Sequence, residues 1–274
     1  MGAPLWGVDL SNQYLEFTAL PSVLYLQLAL YHVLHVYVKR RIKLKIGGGR
    51  EMLTAAEKFA ILKKHGKYFV AGKESNRFVL QNIYLAPDGS AFATDASHAL
   101  RIKNVHNYKE PLLLNVRGER QIESDYPYPE DGIRAVFDKI ESAGHVATIA
   151  CSRFSNMLRD LKKLIKVASD LCIEPSLRIR AEGGGRSLVA ETRIKNEAYD
   201  VELKFTLHCC YFNQPFSAFS TCLNIRYFLH AVEIFVSAKS RGIDLFVDSE
   251  EGTVFLCDKE QDIDVAIAPC KEVG

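Results

Sequence analysis

The sequence predicts an α+β fold assembled from tandem copies of one unit, a strand followed by a helix and three strands. Three observations predict it. Apolar residues recur at helical spacing in three separate segments, and each segment is followed by short strand-like runs. Turn residues fall between the runs. The last two segments repeat the same order of elements over roughly 60 to 70 residues, which points to an internal repeat and to helices on one side of antiparallel sheets.

From Met52 onward, Leu53 to Lys64 carries Leu53, Ala56, Phe59, Ala60 and Ile61 at helical spacing, with Gly66 as the stop. Strands are expected over Phe78–Leu85 and Ala91–Val105, separated by Pro87-Asp88-Gly89, with a break in the second near Asp95–Ser97. The second pass opens on a strand at Val146–Ala150. Ser152 is the expected cap of a helix to Ala168, whose apolar side is Phe154, Met157, Leu158, Leu161, Ile165 and Ala168. Strands over Leu177–Ala181, Leu188–Ile194 and Tyr199–Leu207 follow, the first two joined by the Gly183-Gly184-Gly185 turn. The third pass has a strand at Phe216–Thr221 and a helix capped by Asn224 that runs to Ala238. It ends in strands at Ile243–Val247, Thr253–Cys257 and Ile263–Ala268, with turns at Asp248–Gly252 and Asp258–Gln261.

Composition limits the functions on offer. The chain has 274 residues, 48% of them hydrophobic and 25% charged, enough for one or two domains with a real core and against wholesale disorder. The formal net charge is +2, with six basic and three acidic residues in 1–51 and 29 basic against 30 acidic in the remainder. Nucleic-acid binding by residues 52–274 therefore requires a local basic face. The seven cysteines are odd in number and form no CxxC pair, so they read as free thiols in a reducing compartment. His208-Cys209-Cys210 has no second ligand cluster at metal-site spacing, so no metal and no cofactor is expected. Asp248, Glu250 and Glu251 sit in a turn, no nucleophile elbow is present, and the triple glycine lacks the Lys-Ser/Thr of a phosphate loop. No catalytic residue is assigned.

Residues 21–38 form an apolar stretch interrupted by Gln27, His32 and His35 and followed by Lys39-Arg40-Arg41. Three readings stand: translated upstream sequence, a helix packed on the body, and a membrane anchor. The first rests on Gly47-Gly48-Gly49-Arg50-Glu51-Met52, which is how a purine-rich ribosome-binding site followed by a start codon would translate; it makes Met52 the expected natural start.

Several motifs then share an order. Leu223-Asn224-Ile225-Arg226-Tyr227-Phe228-Leu229 is similar to the F-N-x-x-Y-L opening of a helix in the last domain of the bacterial DNA polymerase III β sliding clamp family, and Ala266-Ile267-Ala268-Pro269-Cys270 to that domain's closing V-V-M-P-M. Tyr128-Pro129 through Val136 resembles the family's F-P-D-Y-x-x-V-x-P connector, and Phe78–Asn82 with Ala93–Leu100 resembles a stretch of the middle domain ending A-T-D-G-H-R-L. The resemblance covers residues 52–274. It implies an extension over 1–51, a partial middle domain with connector over 52–140, and a C-terminal clamp-like domain over 141–274. The chain departs from the family in having no first domain, one extra residue in the A-T-D motif, and three repeated units where a complete clamp subunit has six.

The resemblance implies a DNA-facing role for the polar side of the helix Ser152–Ala168, where Arg153, Arg159, Lys162, Lys163 and Lys166 form a stripe. It also implies a hydrophobic peptide pocket made by Thr94, His98, Leu100, Pro129, Val136, Ala266 and Ala268. The expected partners are double-stranded DNA bound without sequence preference, a DNA polymerase or other clamp-binding protein carrying a short hydrophobic motif, and further copies of the chain in a homo-oligomer. The expected setting is cytoplasmic and nucleoid-associated, with no membrane partner. The alternative is a clamp-fold interaction module that does not encircle DNA.

Overall fold

The computed structural model describes residues 52–117, 119–121, 128–182, 187–195 and 200–271. The expectations for residues 1–51, for the Gly183–Gly185 turn and for a strand start at Tyr199 lie outside them. Met52–Gly274 is one compact unit. Its first part holds helix α1 (Ala55–His65) and strands β1 (Ile83–Leu85), β2 (Ala91–Thr94) and β3 (His98–Ile102), then β4 (Leu112–Leu114), β5 (Arg120–Gln121) and helix α2 (Glu130–Asp138). The second unit is β6 (Gly144–Ala150), α3 (Phe154–Asp170), β7 (Ser176–Glu182), β8 (Ser187–Lys195) and β9 (Asp200–Phe212). The third is β10 (Ser220–Asn224), α4 (Ile225–Ser237), β11 (Gly242–Val247), β12 (Val254–Asp258) and β13 (Ile263–Ile267). The strand–helix–three-strand repeat is present twice in full.

All these strands pair antiparallel in one sheet ordered β10-β7-β8-β9-β6-β11-β12-β13-β3-β2-β1-β4-β5. Side chains alternate across it, and the alternation separates two cores. On β13, Ile263, Val265 and Ile267 join Leu100 and Ile102 of β3 in the core beneath α1, α3 and α4. Ala266 faces the other way, into a smaller cluster with Tyr84, Phe92, Ala99 and Phe255, covered by Ile133 and Phe137 of α2. Three helices therefore share one face of the sheet, and α2 lies on the opposite one. Helix α4 packs against both α1 and α3, which explains why seven of its residues, from Ile225 to Phe235, are buried.

Local chemistry explains most boundaries. Thr54 and Glu57 form a reciprocal capping box at the start of α1, and Asn224 accepts from the Arg226 amide at the start of α4. Several sequence expectations are corrected. Ser152 does not cap α3; a short 3₁₀ turn, Cys151–Arg153, leads into the helix instead. Phe78–Gln81 is also 3₁₀, so the first strand begins only at Ile83. The strand expected at Phe216–Thr221 starts at Ser220, after the 3₁₀ turn Gln214–Phe216, in which proline presets the backbone. The α-helix does end at His65 with Gly66 as its C-cap, as expected, but Gly66 keeps a right-handed φ of −55° and opens a 3₁₀ turn instead of turning left-handed. A Cβ there would come within 2.7 Å of Ile83 Cδ1, so its smallness serves close packing on β1. The segment Tyr128–Val136, which resembles the family's connector, is mostly helix α2.

Candidate nucleic-acid interface

The polar side of α3 is set by its own periodicity. Phe154, Met157, Leu161, Leu164 and Ala168 are buried, which leaves Arg159, Lys162, Lys163 and Lys166 exposed on the helix and Arg153 exposed at its start. The stripe is not all free charge. Lys162 Nζ lies 2.6 Å from Glu233 Oε1 on α4, and Asp160 sits 3.4 Å from Arg159 and 4.0 Å from Lys163.

The sequence reading missed a second basic contribution. Lys63, Lys64 and Lys67 are exposed around the end of α1. His65, buried among them, is pushed down to about 4, by burial first, then by Lys64, Lys162 and Lys67 acting against Glu233. The exposed cations of α1 and of α3 thus lie on the same helix-covered side of the sheet, on the two helices that pack against α4. The signal was available in the sequence as the Lys63-Lys64 pair near a helix end, where cations also complement the helix dipole.

Between them lies an aromatic and histidine layer. Tyr68 stacks on His230 at 4.9 Å, and His98 stacks on Tyr227 at 4.0 Å. His98 Nε2 meets the Tyr68 carbonyl at 2.9 Å, and its Nδ1 lies 2.9 Å from Asp95 Oδ1, close enough for an ion pair but off the ring N–H axis. Burial and then His98 push His230 down to about 4. Both depressed histidines are neutral in the folded state and take up protons more readily once unfolded. Stability is therefore fully present above about pH 6.5 and falls as pH drops toward 4. For His65 the loss is roughly 2–3 kcal/mol across that window. Urea titrations at a series of pH values should show it, and His65→Gln should flatten the slope by that amount; an unchanged slope would mean the ring is solvated.

The expected pocket residues are divided by the sheet. His98 and Leu100 face the helix side, where Leu100 is fully buried in the main core and His98 meets α4. Thr94 pairs with Ala99 on the opposite side, where Ala266 is buried beneath α2. Thr94 is itself occupied, its hydroxyl donating to the His98 carbonyl and accepting from the Ala96 amide. Val136, half-buried, belongs to α2, while Pro129 and Ala268 are exposed. The structure thus places Thr94, Ala266 and Val136 on one face and His98 and Leu100 on the other, while Ala268 follows the end of β13 with its amide on the Ser97 carbonyl. The apolar floor at Ala99 and Ala266 is filled by the chain's own Ile133 and Phe137.

Among the described residues no three His, Cys, Asp or Glu side chains are grouped to hold a metal ion, and no helix is long and apolar enough to cross a membrane.

With the three-helix face and the continuous sheet in view, solved structures give the comparison. A DNA polymerase sliding clamp from Pseudomonas aeruginosa superposes with a TM-score of 0.56 at 8% identity, over 80% of this chain and 66% of that one. The fold is that of the DNA polymerase sliding clamp. The β subunit from the DNA polymerase of Streptococcus pyogenes matches at 0.56 with 12% identity, over 82% of this chain and 66% of that one. DNA polymerase III subunit β from Borrelia burgdorferi matches at 0.55 with 12% identity, over 84% and 68%. The chain spans about two thirds of the length of the clamps it matches. No family model and no curated protein matches the sequence. The clamp fold is thus shared at a level of identity that carries architecture alone.

Proposed function

We propose that this chain is a clamp-type tether: a protein that holds replication or repair factors on duplex DNA and performs no catalysis of its own. The observation that carries the reading is the set of exposed cations on the three-helix face, Lys63, Lys64 and Lys67 around the end of α1 and Arg153, Arg159, Lys162, Lys163 and Lys166 along α3, the two helices that pack on α4. Lysine and arginine neutralise phosphates whatever the base sequence, which suits a protein that must move along DNA. A ring of twelve units would take four chains of three. The test is the mass of the assembly, by sedimentation or native mass spectrometry, with and without duplex. A tetramer that retains duplex in a salt-dependent manner supports the tether. A strict monomer indifferent to duplex favours the interaction module instead, and the Lys162–Glu233 and Asp160 pairs, which lower the net charge of the face, are what speak for that alternative.

The partner motif, on this reading, docks at the exposed end of β13, against Ala268 next to the Asp95–Ser97 turn, because the deeper apolar floor is already covered. Ala268 is solvent-exposed and its amide donates to the Ser97 carbonyl, so a longer side chain leaves the backbone bond intact. Ala268→Arg is expected to abolish binding of a hydrophobic clamp-binding peptide, at least 10-fold in affinity by fluorescence anisotropy, with the unfolding midpoint unchanged. Equal affinity in the variant would move the docking site elsewhere.

A further inference from the structure

The segment after β13 does not end at the sheet's centre. It crosses to the outer edge of β10, where Leu223 bridges Pro269 and the Cys270 amide donates to the Cys222 carbonyl at 2.8 Å. The bridge register sets Cys222 directly opposite Cys270. Antiparallel partners that share a hydrogen bond of this kind have Cα atoms about 5.5 Å apart, within the span a disulfide accepts. Leu223 points into the core, so the alternation turns Cys222 to the opposite, half-exposed side, and Cys270 is half-exposed too.

We propose that Cys222 and Cys270 form a reversible disulfide that latches the C-terminal segment across the edge of β10. The reaction needs a two-electron oxidant, and a small disulfide such as oxidised glutathione suffices. One protein thiolate attacks a glutathione sulfur, forming a mixed disulfide and expelling one glutathione thiolate. The second protein thiolate attacks the protein sulfur of that mixed disulfide and expels the other. The protein loses two electrons and two protons, and two molecules of reduced glutathione carry them away. Burial, then the neighbouring Cys222 thiol, push Cys270 up to about 11, so thiolate is scarce at neutral pH and closure accelerates as pH rises. With the thiols reduced, non-covalent contacts alone hold the segment on β10; with the bond formed, the attachment is covalent, and the edge of β10 stays covered against pairing with another strand. The bond also closes a loop around the whole third unit, α4 through β13, which stabilises mainly by restricting the unfolded chain.

The experiment is incubation of the full chain with oxidised glutathione at mildly alkaline pH, followed by non-reducing peptide mapping. The expected product is about 2 Da lighter than the reduced chain, carries a Cys222–Cys270 cross-linked peptide, and reverts with dithiothreitol. Its thermal midpoint rises by roughly 5–10 °C. Cys222→Ser and Cys270→Ser each retain the reduced chain's midpoint and accumulate a glutathione adduct on the remaining thiol. Stable glutathione adducts on both Cys222 and Cys270 of the unmutated chain, or cross-links confined to the other five cysteines, would overturn the proposal.

Discussion

Reversing Lys64, Lys163 and Lys166 to glutamate together is expected to weaken duplex binding on the order of 100-fold at low salt, and to reduce the slope of log affinity against log salt by roughly 2.7, about 0.9 for each phosphate that is no longer neutralised. The three residues are chosen across two helices, because the proposed face is a joint field of α1 and α3. Lys162 is left in place. Its bond to Glu233 spans α3 and α4, and a glutamate there would set two carboxylates against each other and confuse binding with stability. The chosen lysines are exposed, and among the described residues the one carboxylate within 4.0 Å of any of them is Asp160, at 4.0 Å from Lys163. Exposed changes of this kind usually cost under about 0.5 kcal/mol, so the denaturation midpoint should hold. The decisive measurement is the salt titration. A smaller slope with an unchanged midpoint identifies a phosphate-facing surface, whereas identical slopes before and after would leave the lysines as solvated charges.

Asp262→Ala is expected to cost about 3–5 kcal/mol, because it strands a buried ammonium. Lys58, on α1, is 1% exposed, and its Nζ lies 2.8 Å from Asp262 Oδ2 and 3.1 Å from the Lys103 carbonyl. Asp262 sits in the β12–β13 turn at φ +57°, a left-handed position that aspartate and asparagine tolerate better than alanine. Asp262→Asn keeps that backbone preference and one acceptor, so it should lose less. Lys58→Met combined with Asp262→Ala should recover much of the loss, since no charge is then left unpaired. Burial would raise the Asp262 carboxyl, but the hydrogen bonds from Lys58 and Asn104 outweigh it and hold the group below its ordinary value. The pair's contribution is therefore complete above the unfolded carboxylate range, near 4, and is lost as pH falls through the lower folded value. Urea denaturation of the three variants at neutral pH checks the order. A cost under about 1 kcal/mol for Asp262→Ala would show that water reaches Lys58.

That ion pair also marks the boundary of what a sequence can tell. Lys58 looks like one more cation on an amphipathic helix, and nothing near it in the chain announces a partner some two hundred residues away. Burial of a charge is a property of the assembled sheet and helices. The same holds for the pocket residues. Thr94, His98 and Leu100 are close in sequence and resemble one motif, yet strand alternation sends Thr94 to one face and His98 and Leu100 to the other. It holds again for α2, whose Ile133 and Phe137 cover Ala99 and Ala266, because which apolar stripe meets which patch depends on strand pairing across the whole body.

The sequence by itself determined the repeat, all three helices of the helix-covered face in nearly their observed bounds, the Asn224 cap and the α3 cations. These follow from local rules: a period of 3.6 or 2 is written residue by residue, and a cap needs only its next few neighbours. Only the tertiary structure decided that α1 and α3 present their lysines on the same side of the sheet, that the residues expected to line one pocket are parted by the sheet, and that Cys222 stands opposite Cys270. Each of these joins residues far apart along the chain. Their meeting is fixed by the order β10-β7-β8-β9-β6-β11-β12-β13-β3, which the buried faces of all the strands select together and no single segment encodes.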